Sequence, residues 1–277
     1  MRGNRSTLPV QRTDVILAIP LFLLYSASAW VMLRSVTHRR LEPVVWGFTL
    51  AAIFAHSDAI VHRMRSTVPF SIGLLEAISM LAWTLAVLAA IIAIERQNRV
   101  LSAILLGSAA LGATATGTGH RFAEEIAPGW ELTAHILLSM GAAALLFAAA
   151  VTAVLILILD RRLRARRLTA LPTALPPLDA LEKIMFRSIG AGFALLTLAL
   201  FTGFVFVTNL FAQHLIHKTV LSLMAWVVFA ILLIGRLRYG WRGRSAVLWT
   251  LIGFGIVLLA YFGSKFVLEY LLGRHWG

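Results

Sequence analysis

The chain has 277 residues, 60 % hydrophobic and only 13 % charged, with a mean hydropathy of +0.86. Soluble domains carry about 25 % charged residues, so this composition excludes a soluble globular protein. The formal charge of +13 lies in short loops between apolar runs, which excludes a nucleic-acid partner, and the absence of Cys excludes disulfides, thiolate ligation and thiol redox chemistry.

In chain order, a basic tail (1–13, with Arg2, Arg5 and Arg12) leads into eight predicted spans: 14–34, 44–62, 71–94, 100–117, 132–159, 186–210, 217–235 and 246–271. Apolar runs of roughly 20 residues match a hydrocarbon core about 30 Å thick, and in lipid such runs close their backbone hydrogen bonds as helices. The expected fold is all-α, a polytopic integral membrane protein with one membrane domain over 14–277. The first run lacks an A-x-A-type exit, so no cleavable signal peptide is expected. The fourth is short and rich in Gly, Ala and Thr, suited to close helix packing.

The loops set the orientation. Those after spans one, three, five and seven, with Arg187 at the foot of span six, carry 16 of the 25 basic residues. The positive-inside rule therefore places them, including 160–185 with "DRRLRARR", in the cytoplasm and both termini outside; the basic tail pulls the other way. "LPTALPP" (171–177) stops any helix, and "LDALEKIMF" (178–186) reads as a short interfacial helix leading into span six. "RLRYGWRGR" (236–244) reads as a basic inner turn with aromatics at headgroup depth.

With this orientation His56, His62, His120, His135, His214, His217 and His275 fall on the outer side and only His38 falls inside. Ionisable residues within spans are functional candidates by default. His56 lies about 9 Å below the outer end of span two, His135 is a few residues into span five, and His217 caps span seven. Three imidazoles at comparable depth can converge on one site, and neutral imidazole ligates iron, zinc or copper. The plainer readings are solvated end caps for His120, His214 and His275, an interfacial role for His62, and buried hydrogen bonds for His56 and His135. Asp58 and Glu76 stand at similar depth. Glu76 is expected near His56 or His135, where a carboxylate would fix an imidazole tautomer. Hydrolase and phosphate-binding motifs are absent.

The last third carries a more specific pattern. Trp226, Gly240-Trp241-Arg242-Gly243-Arg244, Gly253-Phe254 and Tyr261-Phe262-Gly263 within 217–266 resemble the C-terminal region of the cytochrome c assembly family, in its HemX-like inner-membrane branch. Residues 69–83, 135–158 and 176–204 fit the same branch, and Glu76 matches a glutamate of the CcsA-type members. The resemblance covers roughly 45–266. It implies a bacterial inner-membrane protein that handles non-covalent b-type heme at the outer face for attachment to apocytochrome c. Its partners would be lipid, heme and other cytochrome c maturation components. His135 matches the family's first external heme-ligand histidine, and His275 falls near the second.

Two departures bear on activity. The tryptophan-rich heme-presenting segment should occupy 208–220, which reads "TNLFAQHLIHKTV" without Trp or Asp. Gly235 stands where those members place a histidine late in span seven. The resemblance thus implies heme binding or handling without a complete heme ligase. His217 or His56 would be the second iron ligand and Lys218 a partner for a propionate. Phe201, Phe204, Phe206 and Phe211 are suited to line a macrocycle, or to face core and lipid. The competing reading is a non-catalytic regulatory or scaffolding subunit, and the weakest is a transporter.

Overall fold

A computed structural model describes residues 9–66, 74–116, 129–164, 176–206 and 213–263. Within them the chain forms α1 (Pro9–Ser35), α2 (Glu42–Ser66), α3 (Leu74–Ala93), α4 (Arg99–Ala113), α5 (Trp130–Arg164), α6 (Leu178–Phe206), α7 (Gln213–Tyr239) and α8 (Gly243–Leu258). Seven of them are long and apolar enough to cross a membrane; α4, with 15 residues, is shorter than that. The protein is an all-α polytopic membrane protein. The tail 1–8, residues 117–128 with His120, and residues 264–277 with His275 lie outside the described residues.

The chain forms two compact units, α1–α4 and α5–α8. In the first, the end of α1, the start of α2, the end of α3 and the start of α4 meet in one polar cluster. Arg99, 1 % exposed, donates from Nη2 to Glu42 Oε1 (2.6 Å) and from Nη1 to Ser35 Oγ (3.1 Å). Arg96 reaches Glu42 Oε2 (3.0 Å) and the carbonyl of Ser35 (3.2 Å), an unpaired helix-end acceptor. The α3–α4 connection, which carries both arginines, is thereby tied to the α1–α2 connection at one end of this unit.

In the second unit, small residues let backbones approach, the usual device where lipid removes the hydrophobic drive between helices. Ala142, Ala149 and Ala153 of α5 are fully buried, and a Cβ on Gly192 of α6 would stand 2.9 Å from Leu146. The segment expected as a separate interfacial helix is instead the first turns of α6. Leu181, Met185 and Ile189 form one fully buried stripe continuing to Leu196. An interfacial helix and the foot of a core helix share the same apolar spacing, and here the stripe runs on unbroken.

The aromatic and glycine pattern at the C-terminal end has packing reasons. Trp226 stacks on Phe193 (5.4 Å) and donates to Thr197 Oγ1 (2.9 Å). Gly253 lies against Phe229, whose Cζ would be 2.8 Å from an added Cβ. Gly240 and Gly243 take φ of +65° and +62°, left-handed values that glycine adopts without strain, and so turn α7 into α8 within a few residues. The turn is held to α6: Arg242 pairs with Asp179 (3.1 Å) and Glu182 (3.2 Å), while Glu182 Oε1 accepts the Gly243 N–H (2.9 Å) that opens α8. After α8 the chain widens into a π turn, Leu259–Gly263.

Candidate functional site

His135 stands in the second turn of α5, and α6 runs antiparallel to it, so the last turns of α6 meet the first turns of α5. Thr202 Oγ1 lies 3.1 Å from His135 Nδ1. The same hydroxyl donates its single proton to the carbonyl of Ala199, 3.0 Å away. With its proton on that carbonyl the hydroxyl accepts from the imidazole, an arrangement that matches the Nδ1–H tautomer with the lone pair on Nε2. The Ala199 carbonyl also lies within hydrogen-bond reach of the imidazole. The ring is half-buried and lies over Gly203, where an added Cβ would come within 3.1 Å of Cε1. One turn deeper, Tyr261 of the π turn donates to the carbonyl of Ser139 (3.1 Å), joining α5 to the segment after α8. The alternation of helices brings the start of α7, with His217 and Lys218, to this same end; their backbone is helical and their side chains lie outside the described residues. His214 is placed likewise. Phe201 and Phe204 are exposed on α6, which rules out the core alternative for them; Phe206 and Phe211 have no described side chain.

His56 has another occupation. It is fully buried in the first unit, with Nδ1 3.1 Å from Tyr25 Oη and Nε2 3.0 Å from Ser79 Oγ and 3.2 Å from Thr116 Oγ1. Ser79 and Thr116 also bond one another at 2.8 Å. Both ring nitrogens are engaged, so the imidazole ties together α1, α2, α3 and the turn after α4 and presents no free lone pair. Glu76 is on α3, one turn before Ser79, yet its Oε1 accepts from Arg63 (2.8 Å) rather than from a histidine. The carboxylate thus meets a guanidinium, the stronger charge-assisted partner within reach. Asp58 and His62 are exposed, and His38 precedes the short 3-10 turn Arg39–Leu41.

At Gly235 the indole of Trp241 fills the space a side chain would take: its Cδ2 and Cε3 would be 2.5 Å from an added Cβ. Trp241 in turn stacks on Trp249 at 6.0 Å. Among the described residues no three or more His, Asp and Glu side chains group so as to hold a bare metal ion. Tyr25, Ser79, Thr116, Thr202, Gly203 and Tyr261 are site residues that the sequence alone does not single out by role.

The sequence model for cytochrome C assembly proteins matches residues 71–272, which is most of the chain and all of α3–α8. The chain belongs to the cytochrome c assembly protein family. Family membership thus covers Glu76, His135, Thr202, His217 and Tyr261, while Tyr25 and His56 precede the matched region. Among relatives, the inner membrane protein YpjD of Escherichia coli (strain K12) is 41 % identical over 143 residues, 52 % of this chain and 53 % of that protein. An uncharacterised 28.8 kDa protein of Azospirillum brasilense is 37 % identical over 149 residues, 53 % of this chain and 55 % of that protein. The cytochrome c biogenesis protein CcsA of Synechococcus elongatus is 34 % identical over 94 residues, 33 % and 29 % of the two chains. The chain thus spans about half the length of the first of these relatives, and less of the CcsA protein. No solved structure matches it.

Proposed function

We propose that this protein binds and handles heme in the bacterial inner membrane during cytochrome c assembly, without being a complete heme ligase. The observation that carries the reading is the placing of His135: its Nδ1 is held 3.1 Å from Thr202 Oγ1 on a half-buried ring, at the helix end where the family match and the histidine pattern coincide. Heme, if bound, would supply an iron that one or two histidines of this chain would hold, so no larger ligand cluster is required. His135 is one ligand. His217, in the first turns of the neighbouring α7, is the favoured partner, and Lys218 is placed to meet a propionate. His56 is the weaker partner because both its nitrogens are already bonded. The absence of Trp and Asp from 208–220 is why the reading stops short of ligation. Both termini lie outside, the 160–185 loop faces the cytoplasm, and lipid and maturation components are the partners.

The test is an absorption spectrum of the purified protein titrated with hemin. A Soret band with sharp alpha and beta bands on reduction, lost in His135→Ala, supports the reading. A wild-type protein that stays colourless overturns it in favour of a non-catalytic regulatory or scaffolding subunit, the reading favoured by the missing Trp-rich segment.

A further inference from the structure

Thr202 sits inside an apolar helix, where a threonine commonly satisfies its hydroxyl on a carbonyl of its own preceding turn. Thr197 and Thr250 do so on the carbonyls of Phe193 and Ala246. Thr202 does the same on Ala199, and that leaves its oxygen with lone pairs and no proton to give. The group it faces is His135 Nδ1 at 3.1 Å, from a helix position 67 residues away in sequence. A hydroxyl free to rotate would accept either imidazole tautomer. A hydroxyl whose proton is committed accepts only one.

We propose that Thr202 is a positioning residue for His135, holding the imidazole as the Nδ1–H tautomer so that Nε2 is the nitrogen offered to a ligand, with Gly203 leaving the space the ring occupies. The proposal rests on the heme-handling reading for its purpose but not for its geometry. Groups that hold the far nitrogen of a ligating histidine fix its ring angle and tautomer, and removing them typically lowers metal affinity by about 10–100-fold. Thr202→Val removes the hydroxyl acceptor while keeping the shape, and leaves the Ala199 carbonyl within reach of the ring. Thr202→Ser restores it. Gly203→Ala leaves the acceptor but drives a methyl to within 3.1 Å of Cε1, so the ring must tilt.

The experiment uses the full chain in detergent micelles and has two readouts. Ring 15N spectra of histidine-labelled protein without heme report the tautomer directly, with His135→Ala identifying the signals. The expected result is a protonated Nδ1 and an unprotonated Nε2, converted to a mixture in Thr202→Val and recovered in Thr202→Ser. Titration with hemin should show affinity lowered by about 10-fold or more in Thr202→Val, and recovered in Thr202→Ser. If Thr202→Val leaves the ring signals as in wild type, or if Nε2 carries the proton, the positioning role is overturned whatever heme does. If the tautomer behaves as expected but His135→Ala binds hemin with an unchanged spectrum, the lock stands and the ligand assignment fails.

Discussion

Replacing His56 by Leu tests whether this residue is a structural knot. The imidazole makes three interhelical hydrogen bonds, to Tyr25, Ser79 and Thr116. Such bonds in membrane bundles average about 0.6 kcal/mol and reach about 1.7, so three are worth roughly 2 kcal/mol and at most about 5. Ser79 and Thr116 keep each other at 2.8 Å, whereas Tyr25 Oη, on a residue with no exposed surface, loses its partner. Orphaning that hydroxyl adds about 1–3 kcal/mol. His56→Leu should therefore destabilise by roughly 3–5 kcal/mol on these magnitudes. Adding Tyr25→Phe removes the orphan, so the double variant should be more stable than His56→Leu alone. Unfolding free energies of the purified protein titrated with SDS in mixed micelles supply all three numbers. Additive costs, or a double variant weaker than His56→Leu, would refute the knot. So would a hemin spectrum altered by His56→Leu in protein that remains folded, because His56 would then be a ligand.

Gly235→Ala should destabilise the second unit by about 1–3 kcal/mol through overpacking against Trp241, and Trp241→Leu in the same chain should recover part of that loss in thermal unfolding. Glu182→Ala removes the acceptor of the Gly243 N–H and one partner of Arg242; a loss of about 1–2 kcal/mol is expected, smaller for Glu182→Gln, which keeps the acceptor. Because the chain has no Cys, a single introduced one reports its side of the membrane. With a membrane-impermeant maleimide on intact spheroplasts, Trp130→Cys, just before span five, should label and Arg161→Cys, just after it, should not; the reverse pattern overturns the orientation.

The helices were legible because run length and hydropathy are read directly against bilayer thickness. The start of α6 was not, since spacing at Leu178, Leu181 and Met185 cannot tell an interfacial face from a core face; burial decides. His135 stands out in an apolar run, but Thr202 does not. Its role depends on a proton committed to Ala199 and on a partner reached only when two antiparallel helices pair. His56 likewise announced a need for polar company, while the identity of that company came from three other segments. Glu76 shows the competition that position alone hides: a histidine lies one turn away on the neighbouring helix, yet the carboxylate goes to Arg63.

The π turn at Leu259–Gly263 makes the end of the described chain sensitive to residue count. A π turn holds one residue more than an α turn over a similar rise, so it absorbs a single inserted residue without rotating the helix before it. Tyr261, at its centre, is aimed at Ser139 by that widening. Deleting Leu259 or Ala260 would let the turn close to α geometry and swing Tyr261 by about 100° around the axis, away from Ser139. The Tyr261–Ser139 bond below His135 therefore depends on the number of residues in this turn as well as on the tyrosine itself.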